Sequence, residues 1–137
     1  MQNPPPVQSG KSSTGLDENI ASLIAYLAGW VSGLIFFLIE KDSRLVRFHA
    51  MQSILLNVTF GVAAVIFVVV ISVLVIVLGM ISDSLAAIAS LLSGLLWLVL
   101  GLGILLVWIL CLIKAYGGTM YKLPIIGNYA EKFSAPK

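Results

Sequence analysis

A stretch of 66 residues, from Phe48 to Ile113, carries a single formal charge, that of Asp83. In the chain of 137 residues, 60% are hydrophobic and 10% are charged, whereas soluble domains have about 25% charged residues. A soluble core does not hold so long an uncharged run, but the hydrocarbon interior of a bilayer requires one. The sequence therefore predicts an all-α integral membrane protein with one membrane domain.

Three apolar runs are long enough to cross a bilayer. Residues 20–39 are 20 uncharged residues, or about 30 Å of helix, which matches the hydrocarbon thickness. The second and third spans are predicted at about 50–79 and 85–113, and the third is expected to tilt or to extend into the interface. After Pro124, a short amphipathic helix is predicted to lie in the membrane interface.

The two ends of the chain have a different composition from the apolar runs. Residues 1–18 are rich in Pro, Ser and Gly and are predicted to be a disordered tail. Residues 19–133 are predicted to form the membrane domain, and residues 134–137 a short C-terminal tail.

The basic residues divide unevenly between the two sides of a three-span protein. Only Lys11 accompanies the N-terminal tail, whereas seven Lys and Arg residues fall on the other side. The positive-inside rule then predicts a cell-membrane protein with its N-terminus outside and its C-terminus in the cytoplasm. The net charge of +2 is too small, and too scattered, to predict nucleic-acid binding.

Small and polar residues recur at helical spacing in each predicted span, where they would let helices approach closely. The clearest pair is Gly29 and Gly33, which form a G-x-x-x-G pattern. Packing of the spans within one chain is the favoured interpretation, and a dimerisation face is the alternative. The candidate packing residues are Gly29, Gly33, Asn57, Gly61, Ser90 and Gly94.

The start of the second span supplies the candidate interaction or lipid-facing residues. Arg44, Arg47 and Phe48 fall on one side of a helix, where basic heads reach lipid phosphates and the ring meets the acyl boundary. His49 and Gln52 point together toward protein or water. A neutral histidine in a structural hydrogen bond is favoured over a proton relay or metal ligand, because no second His, carboxylate or thiol accompanies it.

Several short motifs resemble a known family. They are Leu16 to Ala21, Gly29-Trp30, Glu40-Lys41, Val46 to Ser53, and Leu123 to Gly127 with Ala130-Glu131-Lys132. Over residues 14–133 the chain is similar to small, uncharacterised prokaryotic membrane proteins of the Tic-twenty-like superfamily, which is named after a component of the chloroplast protein-import machinery. The resemblance implies a polytopic membrane protein without an assigned activity.

The sequence contains none of the common catalytic motifs, so no enzyme, catalytic residue, cofactor or metal site is predicted. Three functions stay open. The first is an interaction or assembly protein, whose partners are membrane lipids, a second copy of the chain or another membrane protein. The second is a component or helper of protein translocation or insertion, which the resemblance implies. The third is a channel or transporter subunit, although the predicted spans contain no charge.

Overall fold

The computed structural model describes residues 10–135, and its regular structure over these residues is helical. The helices are α1 (Glu18–Leu27), α2 (Trp30–Ile39), α3 (Arg44–Ile81), α4 (Asp83–Tyr116) and α5 (Ile126–Phe133). The chain divides into two compact units. Within the described residues, unit 1 comprises 10–58 and 109–135, and unit 2 comprises 59–108.

The first predicted span is not one continuous helix. α1 ends at Leu27 and α2 begins at Trp30, because Gly29 between them takes φ 60° and ψ −131°, a backbone region that favours glycine. Each helix has ten residues and is therefore about 15 Å long, half the thickness of a bilayer core. The prediction of three membrane-crossing helices is not confirmed.

Contacts along α1 and α2 show that they form an antiparallel hairpin. Near its tip, the Ser32 hydroxyl donates to the Ala25 carbonyl at 3.1 Å. At its open end, the Ser12 hydroxyl, which precedes α1, donates to the carboxylate of Glu40, which follows α2. The chain therefore enters and leaves the hairpin at one end of unit 1. The apolar cluster under the hairpin contains Ala21, Ala25, Phe36, Val46 and Ala50.

Among the described helices, α3 and α4 are long and apolar enough to cross a membrane. They have 38 and 34 residues, and the most apolar windows have mean hydropathies of 3.3 and 2.9. Both helices extend beyond the predicted bounds, and only Ser82 separates them. The predicted second and third spans thus correspond to helices of the structure, whose exposed apolar side chains suit contact with lipid.

Unit 2 consists of the C-terminal part of α3 (59–81), Ser82 and the N-terminal part of α4 (83–108), which pack on each other. The rings of Phe67 and Trp97 meet edge to face with centroids 4.9 Å apart. Near the turn, a Cβ atom at Gly79 would lie 3.5 Å from the Ala86 side chain, an ordinary packing distance. None of residues 59–108 is buried, so the side chains of unit 2 are open to the surroundings.

The chain ends are ordered where the structure describes them. Residues 10–17 form a compact loop, in which Ser12 and Gly15 make backbone hydrogen bonds and Lys11 pairs with Asp17. These residues belong to the predicted N-terminal tail, and the rest of that tail, residues 1–9, lies outside the described residues. In the predicted C-terminal tail, Ser134 is buried, and residues 136–137 lie outside the described range.

Candidate functional site

The polar side chains buried in the structure gather in unit 1. Most of them lie where the α1–α2 hairpin, the first turns of α3 and the C-terminal segment (residues 117–135) meet, a region we call the polar end. Its central side chains are Tyr26, Glu40, Arg47, His49 and Gln52.

Gln52 links the hairpin to the C-terminal segment. Its side-chain nitrogen donates to the Tyr26 hydroxyl at 3.1 Å and to the Tyr121 carbonyl at 3.1 Å. Its side-chain oxygen accepts from the Leu123 backbone N–H at 3.3 Å. The amide therefore uses both of its donors and its acceptor, and fixes one loop of the C-terminal segment against α3.

His49 lies one turn earlier on α3 and is fully buried. Its Nδ1 is 3.1 Å from the Tyr26 hydroxyl, and its Nε2 is 3.0 Å from the Thr119 carbonyl. The carbonyl accepts only, so Nε2 carries the proton and Nδ1 accepts from Tyr26. Both ring nitrogens of a neutral histidine are thus engaged, which leaves neither lone pair for a metal ion.

Arg47 connects three separate segments at the polar end. Its Nη1 donates to the Glu40 carbonyl at 2.8 Å and to the Phe37 carbonyl at 3.2 Å, at the exit of α2. Its Nε donates to the Ala135 carbonyl at 3.2 Å. The guanidinium also lies over the Phe37 ring, 4.5 Å from the centroid. This planar group satisfies carbonyls that the end of a helix leaves free.

Glu40 binds the N-terminal loop (residues 10–17) through its carboxylate. Its carboxylate accepts hydrogen bonds from the Ser12 and Ser13 hydroxyls and from the backbone N–H groups of Ser13, Asp42 and Ser43. Burial raises the pKa of this carboxyl, but the hydrogen bonds outweigh burial and lower the pKa to about 2. Glu40 therefore stays ionised and holds residues 12–13 beside the turn that precedes α3.

The break between α1 and α2 is held by two polar residues of α3. The Ser53 hydroxyl donates to the Gly29 carbonyl at 2.9 Å, a carbonyl that also accepts the first helical hydrogen bond of α2, from the Gly33 N–H at 3.2 Å. Asn57 donates to the Ser53 carbonyl at 2.8 Å, and its oxygen would lie 3.0 Å from a Cβ atom at Gly29. A larger residue than glycine would therefore be both strained and crowded here.

Gly33 lies at a close contact between α2 and α3. A Cβ atom at this position would be 2.9 Å from the Ala50 carbonyl oxygen and 3.2 Å from the Ser53 Cβ. Both Gly29 and Gly33 thus face α3 of the same chain, as glycines that pack helices within one chain do. At Gly61 and Gly94, by contrast, a Cβ atom would meet nothing within 4 Å in the described residues.

Ser90 and Gly94 line a groove of unit 2 with a volume of about 550 Å³, together with Ser72, Ser93 and Trp97. The Ser90 hydroxyl donates to the Ala86 carbonyl of its own helix at 2.8 Å. These predicted packing residues are therefore open to the surroundings rather than set against another helix of the described chain.

The predicted interaction residues of α3 lie in two different environments. Arg44 is exposed, and its guanidinium is 3.6 Å from the Glu131 carboxylate. The other four are buried, and the expected reach of Arg47 and Phe48 to lipid is not seen, because the hairpin and the C-terminal segment cover this face of α3. The four buried residues are Arg47, Phe48, His49 and Gln52.

The exposed surface of the polar end is basic on one part and apolar on another. α5 turns Gly127 and Ala130 inward and leaves Ile125, Tyr129 and Phe133 exposed by 74%, 56% and 53%. Near this apolar strip lie the charged side chains Arg44, Lys122, Glu131 and Lys132. The hydrogen bond from Lys122 outweighs partial burial and lowers the pKa of Glu131, so this carboxyl ties Lys122 and Arg44 to α5.

The chain makes an unusual turn as it enters α5. Ile125 has φ 66° and ψ −63°, and the Ile126 N–H donates to the Pro124 carbonyl at 2.7 Å. These values define a γ-turn of the rare, strained type. Immediately after it, Gly127 lies so close to Lys122 that a Cβ atom would be 2.6 Å from the Lys122 Cα. Together the two residues set the direction in which α5 presents its apolar strip.

The sequence analysis did not single out Tyr26 or Glu40 as site residues. In the sequence, Tyr26 is one aromatic residue in an apolar run. Nothing near it indicates a hydrogen bond to His49, which lies 23 residues further along the chain. Glu40 reads as a turn residue. A usable signal was that Glu40 directly follows an uncharged run and precedes a serine at a helix start, where a carboxylate can accept backbone N–H groups.

Comparison with known proteins identifies the family. The model of the Magnetosome magnetite crystal formation protein family (MamF_MmsF) matches residues 16–130. A UPF0132 membrane protein of Methanocaldococcus jannaschii is 42% identical over 128 residues, which are 91% of this chain and 96% of the relative. A second from that organism is 36% identical, over 87% of this chain and 71% of the relative. A UPF0132 membrane protein of Archaeoglobus fulgidus is 34% identical, over 85% and 95%.

These matches correct the family suggested by the sequence motifs. The resemblance to the Tic-twenty-like superfamily is wrong, because the matching family model and the matching relatives belong elsewhere. No solved structure matches the chain. The names of these relatives describe membrane proteins and do not name an enzyme. The chain belongs to the Magnetosome magnetite crystal formation protein family and is related throughout most of its length to the UPF0132 membrane proteins.

Proposed function

We propose that the chain is a non-enzymatic interaction protein of the cell membrane, which binds anionic lipid at the cytoplasmic surface through its polar end. The α5 strip of Ile125, Tyr129 and Phe133 inserts between lipids, and the lysines beside it meet phosphate groups. The observation that carries the proposal is the exposure of three large apolar side chains on a short helix flanked by basic residues.

The distribution of charge supports an orientation with both ends of the chain in the cytoplasm. Of the Lys and Arg residues that the structure describes, every one lies in unit 1, whereas Asp83 is the only formal charge of residues 59–108. The hairpin brings the N-terminal loop to the same end of unit 1 as Glu40 and Arg47. The positive-inside rule then favours a cytoplasmic polar end, in place of an N-terminus outside the cell.

Such a surface would bind lipid as a peripheral membrane anchor does, and two contributions add to its free energy of binding. A basic residue near an anionic leaflet contributes about 1 kcal/mol of attraction, and the apolar side chains add their own transfer free energy. Lys122 and Lys132 lie on the same segment as the apolar strip. Lipid contact at this strip would therefore hold the C-terminal segment against the membrane, and thereby support the network around Gln52.

Photo-crosslinking tests this function directly. A photoreactive amino acid at Tyr129, in membranes that contain phosphatidylglycerol, is expected to capture mainly lipid. The matched control is the same probe at Asn128, which is exposed on the polar side of α5 and should capture much less lipid. Changing Lys122 and Lys132 to Gln should reduce capture of phosphatidylglycerol at position 129. Capture of one discrete protein at Tyr129, with little lipid, would contradict lipid binding and indicate a protein partner.

A further inference from the structure

The α1–α2 hairpin is too short to cross a bilayer, yet it presents apolar side chains on its outside. Leu27 and Trp30 flank the tip and are 56% and 55% exposed, and Leu38 on the outer side of α2 is 61% exposed. Two ten-residue helices reach about 15 Å, so a hairpin that enters at one surface ends near the bilayer midplane. Its apolar outside then lies among the acyl chains of one leaflet.

The hairpin begins and ends at the same surface, because its two ends are tied together at the polar end. Ser12 and Ser13, before α1, bind the Glu40 carboxylate, after α2. Arg47 in turn binds the carbonyls of Phe37 and Glu40 at the exit of α2. The hairpin therefore adds the cross-section of two helices to one leaflet only, and α5 adds its apolar strip at the headgroup level of that same leaflet.

Helices that occupy one leaflet expand it relative to the other, and an expanded leaflet favours the convex side of a curved membrane. Among the described helices, only α3 and α4 are long enough to continue into the opposite leaflet. We propose that the chain binds preferentially to, and stabilises, membranes that are convex on the leaflet that holds the hairpin. The ligand is a curved lipid bilayer, and the recognition element is the half-depth hairpin rather than a charged site.

This inference goes beyond the proposed function, because it requires neither anionic lipid nor insertion of α5. It predicts that, after reconstitution, the direction in which the chain is inserted into the vesicle membrane depends on the size of the vesicle. The full chain with Lys132→Cys, which places a thiol on an exposed position of α5, reports orientation through a membrane-impermeant maleimide. The native thiol, Cys111, is 1% exposed and does not compete for the label in the folded protein.

The experiment reconstitutes this variant into phosphatidylcholine vesicles, which are then separated by size. The fraction of chains labelled from outside, relative to the total after permeabilisation, is expected to be about twofold higher in the smallest vesicles than in the largest. A Ser84→Cys variant, with its thiol at the α3–α4 turn, should show the opposite trend. An outside-labelled fraction that does not change with vesicle size would overturn the inference.

A second variant separates the hairpin from α5. Tyr129→Ser with Phe133→Ser removes two apolar side chains from the exposed side of α5, and size-dependent labelling should persist because the hairpin is intact. Loss of the size dependence in this variant would overturn the role of the hairpin. If size dependence persists in phosphatidylcholine while Tyr129 captures no anionic lipid, the proposed function fails and the curvature preference stands.

Discussion

The two units of the chain differ in where their polar side chains lie and in which groups these side chains bind. All ten buried polar or charged residues of the described chain lie in unit 1, whereas no residue of unit 2 is buried. In unit 1 the side chains of Gln52, His49 and Arg47 bind carbonyls of distant segments. In unit 2 the serine hydroxyls of Ser90 and Ser93 return to carbonyls of their own helix.

This contrast shows where the sequence specifies a unique arrangement. Lipid supplies no hydrophobic drive for helix association, so polar contacts and close backbone approach must select one packing over others. Unit 1 has many such contacts, with only the Asn19 side-chain oxygen and the Ser22 hydroxyl buried without a partner among the described residues. Unit 2 has ring and aliphatic contacts that other apolar sequences would also provide. Substitutions should therefore cost much in unit 1 and little in unit 2.

The largest effect is expected at Arg47. Arg47→Met removes three hydrogen bonds to the carbonyls of Phe37, Glu40 and Ala135, and should lower the free energy of unfolding by about 3 kcal/mol because these carbonyls lose a charged donor. Arg44→Met is the control on the same helix turn, and its effect should stay within about 0.5 kcal/mol because the side chain is exposed. Thermal unfolding in detergent compares them, and equal losses would contradict a structural role for Arg47.

The next effect concerns two glycines. Gly33→Ala should lower the free energy of unfolding by about 1–3 kcal/mol, because the added methyl group would lie 2.9 Å from the Ala50 carbonyl and must displace backbone. Gly61→Ala adds the same group to the same kind of helix where nothing lies within 4 Å. Alanine is the better helix former, so this control should be neutral or slightly stabilising. A loss at Gly61 equal to that at Gly33 would remove the contrast between the units.

A smaller and local effect is expected at Gln52. Gln52→Leu leaves the Leu123 N–H and the Tyr121 carbonyl without their side-chain partner, at a cost of about 1–2 kcal/mol. Hydrogen exchange should accelerate in residues 119–125 and stay unchanged in residues 85–100, which belong to unit 2. Thr59→Val, on an exposed polar position of α3, is the control. Exchange that accelerates uniformly along the chain would show that Gln52 supports the whole fold rather than this segment.

The last effect depends on pH and concerns the titration of Glu40. Its pKa falls from an ordinary 4.5 to about 2 in the folded protein, so the stabilisation is complete above 4.5 and is lost as the pH falls toward about 2. The amide resonances of Ser13 and Ser43, which donate to this carboxylate, should move over that range. Glu40→Gln should abolish the movement. Titration of both resonances near 4.5 in the native chain would show that Glu40 is not held by these groups.

The sequence predicted the membrane class, the two long helices and the C-terminal helix, because charge distribution and length decide these features. It did not predict the hairpin, since residues 20–39 have the length of a span and Gly29 reads equally well as a packing residue. The contacts that hold the break come from Ser53 and Asn57 of α3, more than 20 positions further along the chain, and no local pattern around Gly29 indicates them. The buried roles of Arg47 and His49 depend likewise on a distant C-terminal segment that no local pattern reveals.

The central claim is that the hairpin returns to the surface where it began, and cysteine labelling in intact cells tests it most directly. Single cysteines replace Leu16 before α1, Ser84 after the α3–α4 turn, and Lys132 on α5, all of them exposed positions. With the orientation proposed above, an impermeant maleimide is expected to label position 84 from outside, and to label positions 16 and 132 only after permeabilisation. Labelling of both 16 and 84 from outside, with 132 protected, would show that residues 20–39 cross the membrane and would contradict the hairpin.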